Sequence, residues 1–171
     1  MKYFTPQLLS DSNSDDISLS RKAEMQWNRN MKAYWKYVAR ILPKLPSQAR
    51  RFFGKTSLHD ATIELISLGD LGRFSKPRTS SSTSFVEIKV THPESGDLYT
   101  LRYSCLRDVK IEYHSDRRHR YYFFEDWLYD EVLLTRDKWM RHEIMLSSGT
   151  IILLEFRRFS YKVERRKARE R

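Results

Sequence analysis

Among the residues of this chain whose side chains suit acid–base chemistry, we single out His59, Asp60 and His142. Imidazole and carboxylate groups form a catalytic site only where they converge on one pocket. His59 and Asp60 adjoin at the point where a helical pattern gives way to the first strand. We interpret them as a structural pair whose side chains bond the backbone and fix the start of that strand.

His142 alternates with Met140, Ile144 and Leu146, so the strand pattern directs its ring towards the apolar face. An inward histidine is more often a hydrogen-bonded core residue than a ligand or a base. If Asp60 lies beside His142, the two side chains form a buried polar link. The sequence thus predicts one buried polar site from His59, Asp60 and His142.

The other chemical patterns argue against catalysis. The histidines, at positions 59, 92, 114, 119 and 142, show no metal-binding spacing, and Cys105 is the single cysteine. The chain has no Gly-x-Ser-x-Gly elbow and, with five glycines, no phosphate-binding glycine loop. We therefore expect a protein that is not an enzyme, with no catalytic residue, no metal and no cofactor.

Two acidic pairs, Glu125-Asp126 and Asp130-Glu131, could supply the carboxylates of acid–base catalysis. Neighbouring residues of a strand point in opposite directions, so neither pair can meet on one face. We expect both pairs on a solvated or salt-bridged surface.

Residues 117–124 mix cations with aromatic rings, a combination found in sites for single-stranded nucleic acid. No named recognition motif accompanies them. Aromatic residues beside a strand often belong to the core, so this stretch has a binding and a packing interpretation.

Positive charge is concentrated near the two ends of the chain, whose net charge is +10. Residues 20–55 carry ten Lys or Arg and one Glu, and residues 157–171 carry eight Lys or Arg and two Glu. Residues 56–156 are slightly acidic, with thirteen basic and sixteen acidic groups. The asymmetry predicts an acidic partner, which would be nucleic acid, an anionic membrane surface or an acidic protein. Alternatively, the basic ends serve solubility alone.

The helical elements start after a polar stretch at residues 10–16, interpreted as a linker or as the lead-in to a helix, and Ser18 or Ser20 is expected to cap the first helix. Its apolar residues share an arc of roughly 120°. They are Ala23, Trp27, Met31, Tyr34, Trp35, Val38, Ile41 and Leu42. The opposite arc is basic and holds Lys22, Arg29, Lys32, Lys36 and Arg40. Pro43 ends this helix, and Pro46 begins a short second one that stops near Gly54.

From Leu58 the apolar period changes from about 3.6 to 2, which predicts strands. Short turns between them predict antiparallel hairpins. The fold class is therefore α+β, with N-terminal amphipathic helices packed on one curved antiparallel sheet of six or seven strands. We expect a single domain over residues 1–164, helical at 17–55 and sheet at 58–160, followed by a basic tail at 165–171.

The chain shows no apolar signal segment at its start, and its longest strongly apolar run, residues 151–154, is too short to cross a bilayer. A single cysteine allows no disulfide within the chain. These features predict a cytoplasmic protein without a transmembrane segment.

Short strings of the sequence also carry a resemblance. The start Met1-Lys2-Tyr3-Phe4-Thr5 and the string Leu58-His59-Asp60-Ala61 resemble an uncharacterised bacterial protein family. The His-Asp-Ala at a strand start is similar to immunity proteins of bacterial polymorphic toxin systems. This resemblance implies a protein that binds and blocks a toxin rather than one that catalyses a reaction.

Three functions follow from the sequence. The first is a non-catalytic macromolecule-binding protein, of an interaction or immunity-like type, that binds a protein partner through the sheet or the basic helix. The second is nucleic-acid binding through the basic helix and tail. The residues expected to contact phosphates are Arg29, Lys32, Lys36, Arg40, Arg165, Arg166, Lys167 and Arg169. The third is an enzyme built around His59, Asp60 and His142.

Overall fold

A computed structural model describes residues 1–70, 84–112 and 126–166 of the chain. The helices are α1 (Pro6–Ser12), α2 (Ile17–Ile41) and α3 (Ser47–Lys55), with a 3₁₀ turn at Leu42–Lys44 before α3. The strands are β1 (Ala61–Asp70), β2 (Ser84–Thr91), β3 (Leu98–Glu112), β4 (Asp126–Leu134), β5 (Met140–Leu146) and β6 (Ile151–Glu164). Helices therefore precede strands, and the predicted α+β class is confirmed.

The start of α2 differs from the prediction. Asp16, rather than Ser18 or Ser20, is its N-cap, and the Asp16 carboxylate accepts the Ser18 N–H at 2.8 Å. The polar stretch before it is only partly a linker, because α1 continues to Ser12. Thr5 caps α1, because its side-chain oxygen accepts the N–H of Leu8 in the first turn of the helix at 3.2 Å.

One side of α2 packs against the sheet, where Ala23, Tyr34, Val38 and Ile41 are buried. Trp35 is instead 52% exposed. It follows Tyr34 directly and so lies about 100° around the helix from it, at the margin of the apolar arc. Within the described residues, no helix is both long enough and apolar enough to span a membrane.

The end of α2 follows the prediction, since the 3₁₀ turn that contains Pro43 stops the helix. Pro46 then precedes α3, which buries Phe52 and Phe53. Both rings lie 5.1 Å from the ring of Phe159 on β6, measured between centroids. α3 therefore lays its aromatic side against the sheet.

All the strand pairs are antiparallel, in the order β1-β2-β3-β6-β5-β4. The first and last strands of this order also meet, through Ala61 opposite Trp127 and Thr62 opposite Asp126, so the sheet forms a closed barrel. The predicted curved antiparallel sheet is confirmed. Its closure was not predicted, because the alternation of side chains does not reveal which distant strands pair.

Two segments that alternate separately in the sequence, one near residues 99–103 and one that starts at residue 109, share one strand, β3, which is described from Leu98 to Glu112. The strand pairs with β6 from Leu98 to Glu112, but the register shifts between Leu106 and Asp108. Cys105, just before the shift, has a φ of 54°. Such an irregularity bends a strand as a β-bulge does. The register shift interrupts the alternation of side chains, but the ladder with β6 continues through it. The two segments therefore count as one strand, and the described strands number six.

Beyond its two pairs with β1, β4 presents an edge that no described strand covers. Hydroxyl groups of α2 take the place of a strand there. The Val132 N–H donates to Tyr34 Oη at 2.9 Å, and the Leu134 N–H donates to Tyr37 Oη at 2.8 Å. Because buried backbone amides need acceptors, these two bonds fix α2 against the edge of β4.

The segment before α1 is held by Glu131 of β4. This carboxylate is fully buried and accepts the N–H groups of Lys2, Tyr3 and Phe4 at 2.8, 2.6 and 2.6 Å. The expectation that Asp130-Glu131 lies on a solvated surface is therefore wrong. A carboxylate can be buried at modest cost when hydrogen bonds replace its water, and three amides do so here.

We expect Glu131→Gln to destabilise the fold, because the amide keeps the size of the side chain but loses its charge and one acceptor oxygen. The free energy of unfolding should fall by about 2 to 4 kcal/mol, as measured by urea denaturation. Glu87→Gln is the matched control, since Glu87 is partly exposed and pairs with Arg102 at 3.3 Å. Its loss should stay under about 1 kcal/mol. Equal losses would contradict a special role for Glu131.

Candidate functional site

A cavity of about 280 Å³ lies where the edge of β4 meets α2 and α3. Five aromatic residues contribute to its wall, namely Phe4, Tyr34, Trp35, Phe53 and Tyr129. Asp130, His59, Thr56 and Ser57 add the polar groups. A small apolar space with few polar groups is the usual form of a ligand site. We call it the β4 cavity.

The rings of the β4 cavity hold one another in place. Phe4 stacks on Tyr129 at 5.9 Å between centroids and meets Tyr34 edge-on at 5.4 Å. Trp27, behind the wall, meets Tyr129 edge-on at 4.6 Å. Because Glu131 fixes the backbone of Phe4, the segment before α1 completes one wall of the cavity.

Asp130 is held by two buried donors. Its Oδ1 accepts the indole N–H of Trp127 at 3.0 Å, and its Oδ2 lies 3.0 Å from Nε2 of His142. The other ring nitrogen of His142, Nδ1, lies 3.0 Å from the hydroxyl of Tyr103. We call these four residues the Asp130 network. It runs from the cavity wall, where the Asp130 side chain is 29% exposed, into the fully buried interior of the sheet.

The protonation of the Asp130 network follows from its burial. Burial, and then the charge of Asp130, raises the pKa of Tyr103 well above its ordinary value, so the phenol keeps its proton. Its buried O–H needs an acceptor, and Nδ1 of His142 is in place. Nε2 then carries the ring proton and donates it to Asp130. With this arrangement of protons every group of the network has a hydrogen-bond partner, and His142 has no free nitrogen with which to act on a substrate.

His142 is fully buried, in keeping with its alternation with apolar residues. Its carboxylate partner is Asp130, however, and not Asp60. Val132 lies opposite His142 in the ladder between β4 and β5. Asp130, two residues before Val132 on β4, therefore lies on the same face of the sheet as His142. The Asp60 side chain is 64% exposed. His59, Asp60 and His142 therefore do not form one buried polar site.

His59 and Asp60 tie the start of β1 to β4. Nδ1 of His59 lies 2.5 Å from the carbonyl oxygen of Leu128, so this nitrogen carries a proton and donates it. The Asp60 N–H donates to the carbonyl of Trp127 at 2.8 Å, with Asp60 at a φ of 61°. The His59 contact is of the side-chain-to-backbone type that the sequence predicted. Nε2 of His59 lies 3.6 Å from Asp60 Oδ2.

The predicted basic contact residues of α2 lie at the surface. Arg29, Lys32, Lys36 and Arg40 are all exposed, as are Arg21 and Lys22 on the same helix. Within the described residues, none of these six cations has a carboxylate within 4.0 Å. We call the six the basic face of α2. These cations therefore do not cover an acidic patch of the described fold.

The basic tail is described in part. Arg165 and Arg166 are exposed, whereas Lys167 and Arg169 lie outside the described residues, as do residues 117–124 with their cations and aromatic rings. Of the first acidic pair, Asp126 accepts the Thr62 hydroxyl at 2.8 Å beside the pairing of β1 with β4. Glu125 lies outside the described residues.

Sequence reasoning missed Asp130, Trp127 and Tyr103 as partners of His142. One signal was available, because acidic residues are uncommon in strands and β4 places two of them side by side among apolar residues. Tyr103 gave no such signal, since it alternates with Leu101 like any core residue. Its role depends on the pairing of β3 with β6 and of β6 with β5, which the sequence does not specify.

Within the described ranges, no three His, Cys, Asp or Glu side chains are placed to hold a metal ion. Comparisons with protein-family models, curated proteins and solved structures found no match to this chain. The resemblance to an uncharacterised bacterial family and to immunity proteins therefore stays a prediction. The function has to be argued from the surfaces and the cavity of the protein itself.

The buried phenols predict a loss of stability at high pH. Burial is the largest factor that raises the pKa of both Tyr34 and Tyr103 above the ordinary value of 10.0. Above that pH the phenols ionise in the unfolded chain but not in the folded one. The unfolded state then binds fewer protons, so the free energy of unfolding should fall as pH rises, by up to about 1.4 kcal/mol per pH unit for each phenol.

Urea denaturation between pH 8 and about 11.5 measures this effect. Tyr103→Phe and Tyr34→Phe each remove one ionising group, so each variant should show a shallower alkaline decline than the unaltered protein. Both variants also lose a hydrogen bond, which lowers stability at every pH and leaves the slope unaffected. Parallel declines in all three proteins would contradict the assignment.

Proposed function

We propose that this protein is a non-catalytic binding protein that recognises an acidic surface of another protein through the exposed side of α2. The observation that carries the proposal is the basic face of α2, six exposed cations without a carboxylate partner in the described fold. An immunity-like role, in which the protein binds and blocks a toxin, is one form of such binding, and it follows from the sequence resemblance alone.

The arrangement of these cations costs helix stability. From Arg21 to Arg40 the basic face extends along about 28 Å of the helix and occupies an arc of roughly 100°. Lys32, Lys36 and Arg40 follow one another at intervals of four residues, a spacing at which like charges repel by about 0.2 to 0.5 kcal/mol per pair. Cations spread over the surface would keep the protein soluble without this cost. A continuous row is better explained by an external anion.

Exposed apolar residues on the same helix favour a protein as the partner. Of the eight large apolar side chains that are exposed in the described residues, four lie on α2. They are Ile17, Leu19, Met25 and Trp35. Met25, which is 53% exposed, lies among the cations on the outer arc. Protein interfaces are enriched in Met, Trp and Arg, whereas contacts to phosphates need no apolar anchor.

The contacts of His59 and His142 support a role without catalysis. His142 is buried with both ring nitrogens engaged, and one nitrogen of His59 is engaged by a backbone carbonyl. An acid–base residue must reach a proton of its substrate, and His142 cannot do so through the Asp130 side chain that covers it.

A photoreactive amino acid in place of Met25 tests the proposal in the native host. We expect a crosslink to a protein that survives nuclease treatment and that is lost on Arg29→Glu, Lys32→Glu and Lys36→Glu together. The matched control carries Arg51→Glu, Lys55→Glu and Lys162→Glu, which change the net charge equally at exposed sites outside α2. This control should keep the crosslink. Equal loss in both triple variants would show a general charge effect and contradict the proposal.

Nucleic acid is the second candidate, favoured by the row of exposed cations that have no carboxylate partner among the described residues. Single- and double-stranded DNA and RNA of about 20 nucleotides serve as probes in anisotropy titrations from about 50 to 300 mM salt. If phosphates are the target, affinity should fall steeply with salt, and the α2 triple variant should bind more weakly with a shallower salt slope. The control triple variant should bind like the unaltered protein. No binding at the lowest salt would eliminate this candidate.

A further inference from the structure

We propose that the β4 cavity binds a small organic cation, an ammonium group carried on a short apolar or aromatic skeleton. Asp130 would serve as its counter-charge and the surrounding rings as its walls. This site is separate from the basic face of α2, and the inference does not depend on the proposed partner binding.

The carboxylate of Asp130 is fixed by two buried donors, the Trp127 indole and the His142 ring. A carboxylate offers about four lone-pair sites, so two donors leave room for a ligand N–H or for a closely placed methylated ammonium. The residues that line the cavity include no lysine and no arginine. The carboxylate therefore borders a cavity rich in aromatic rings, with no lysine or arginine in its lining.

The aromatic wall favours the same class of ligand. The faces of Tyr, Trp and Phe rings carry negative potential and attract ammonium groups, most strongly where water is excluded. Tyr34, Trp35 and Tyr129 all contribute to the wall. An anionic ligand would meet the repulsion of Asp130, and a neutral ligand would leave that charge partly desolvated and unpaired.

The charges of nearby carboxylates also affect two tyrosines of the wall. After burial, the charge of Asp130 contributes most to raising the pKa of Tyr34. In the same way, the charge of Asp60 adds to the effect of burial in raising the pKa of Tyr129. The neighbouring carboxylates thus disfavour a second negative charge at the cavity. The same negative potential favours a bound cation.

The basic face of α2 does not cancel this preference. Its cations project from the side of the helix opposite Tyr34, and an α-helix with its side chains is about 10 Å across. The screening length at physiological salt is about 8 Å, so charges beyond the helix act weakly on the cavity. Asp130 lies in the wall itself.

Binding is tested on the full chain with choline and phenethylamine as probes and 3,3-dimethylbutan-1-ol as the neutral isostere of choline. Isothermal calorimetry and saturation-transfer NMR at pH 7 measure the affinities. We expect both ammonium probes to bind, and the neutral isostere to bind about tenfold more weakly or less. Equal affinity for choline and its isostere, or no binding of either ammonium probe at about 10 mM, would overturn the proposal.

Two variants locate the binding. Trp35→Ala removes an exposed ring of the wall, and Asp130→Asn removes the charge at nearly constant volume. Each should weaken choline binding about tenfold. Leu65→Ala is the matched control, because Leu65 is a large apolar residue of β1 that is 45% exposed and does not line the cavity, and this variant should bind choline unchanged. Thermal unfolding checks that the variants fold. If Asp130→Asn does not fold, Trp35→Ala and the neutral isostere still decide the outcome.

A peptide that carries trimethyllysine distinguishes a free ligand from a side chain of a partner. We expect it to bind no more tightly than choline. Binding more than about tenfold tighter would assign the cavity to a partner's side chain and overturn the proposal of a small-molecule ligand. Unchanged choline binding by Trp35→Ala would place the ligand elsewhere and would overturn it as well.

Discussion

The exposed backbone edge of β4 is the constraint on which the rest of the structure depends. β1 and β4 pair through only two residue pairs, so the backbone of β4 beyond them needs other partners. The hydroxyls of Tyr34 and Tyr37 accept its amides, and the ring of His59 donates to its carbonyl. Because each of these bonds has a fixed geometry, the edge determines both the position and the rotation of α2. The β4 cavity is the space that this helix leaves beside the strand.

The two adjacent carboxylates of β4, Asp130 and Glu131, make their contacts on opposite faces of the strand. Asp130 points to the interior, where Trp127 and His142 donate to it, and Glu131 points to the N-terminal segment, where three amides do so. Side chains that alternate along a strand produce this division directly. The interior network and the docked segment are therefore joined through one piece of backbone, and together they fix Asp130 and Phe4 on the wall of the β4 cavity.

Much of the fold could be predicted because helices and strands bury one side at characteristic periods. The periods located α2, α3 and the strands, with β5 at its observed bounds, Met140–Leu146. They could not show that Asp16 caps α2, that Cys105 bends one long strand, or that β1 meets β4, because these features depend on backbone geometry and on distant pairing. Less of the candidate site could be predicted from the sequence. His142 was placed correctly in the interior, but its partner Asp130 was assigned to the surface, since a local pattern cannot distinguish a buried carboxylate from a solvated one.

The two sides of α2 differ: the inner side contacts β4, and the outer side carries exposed cations. Its inner side supplies Tyr34 and Tyr37, whose bonds to β4 prevent the helix from rotating or sliding. The outer side carries the basic face, whose cations have no carboxylate partner in the described fold. Because the helix is held in this way, its charges form a row of fixed spacing. Less conformational freedom is then lost when a partner binds to this row. Changes to the outer cations should add independently to changes at the cavity, because the body of the helix separates the two sets of residues. The bonds that complete the fold thus also order the surface proposed for recognition.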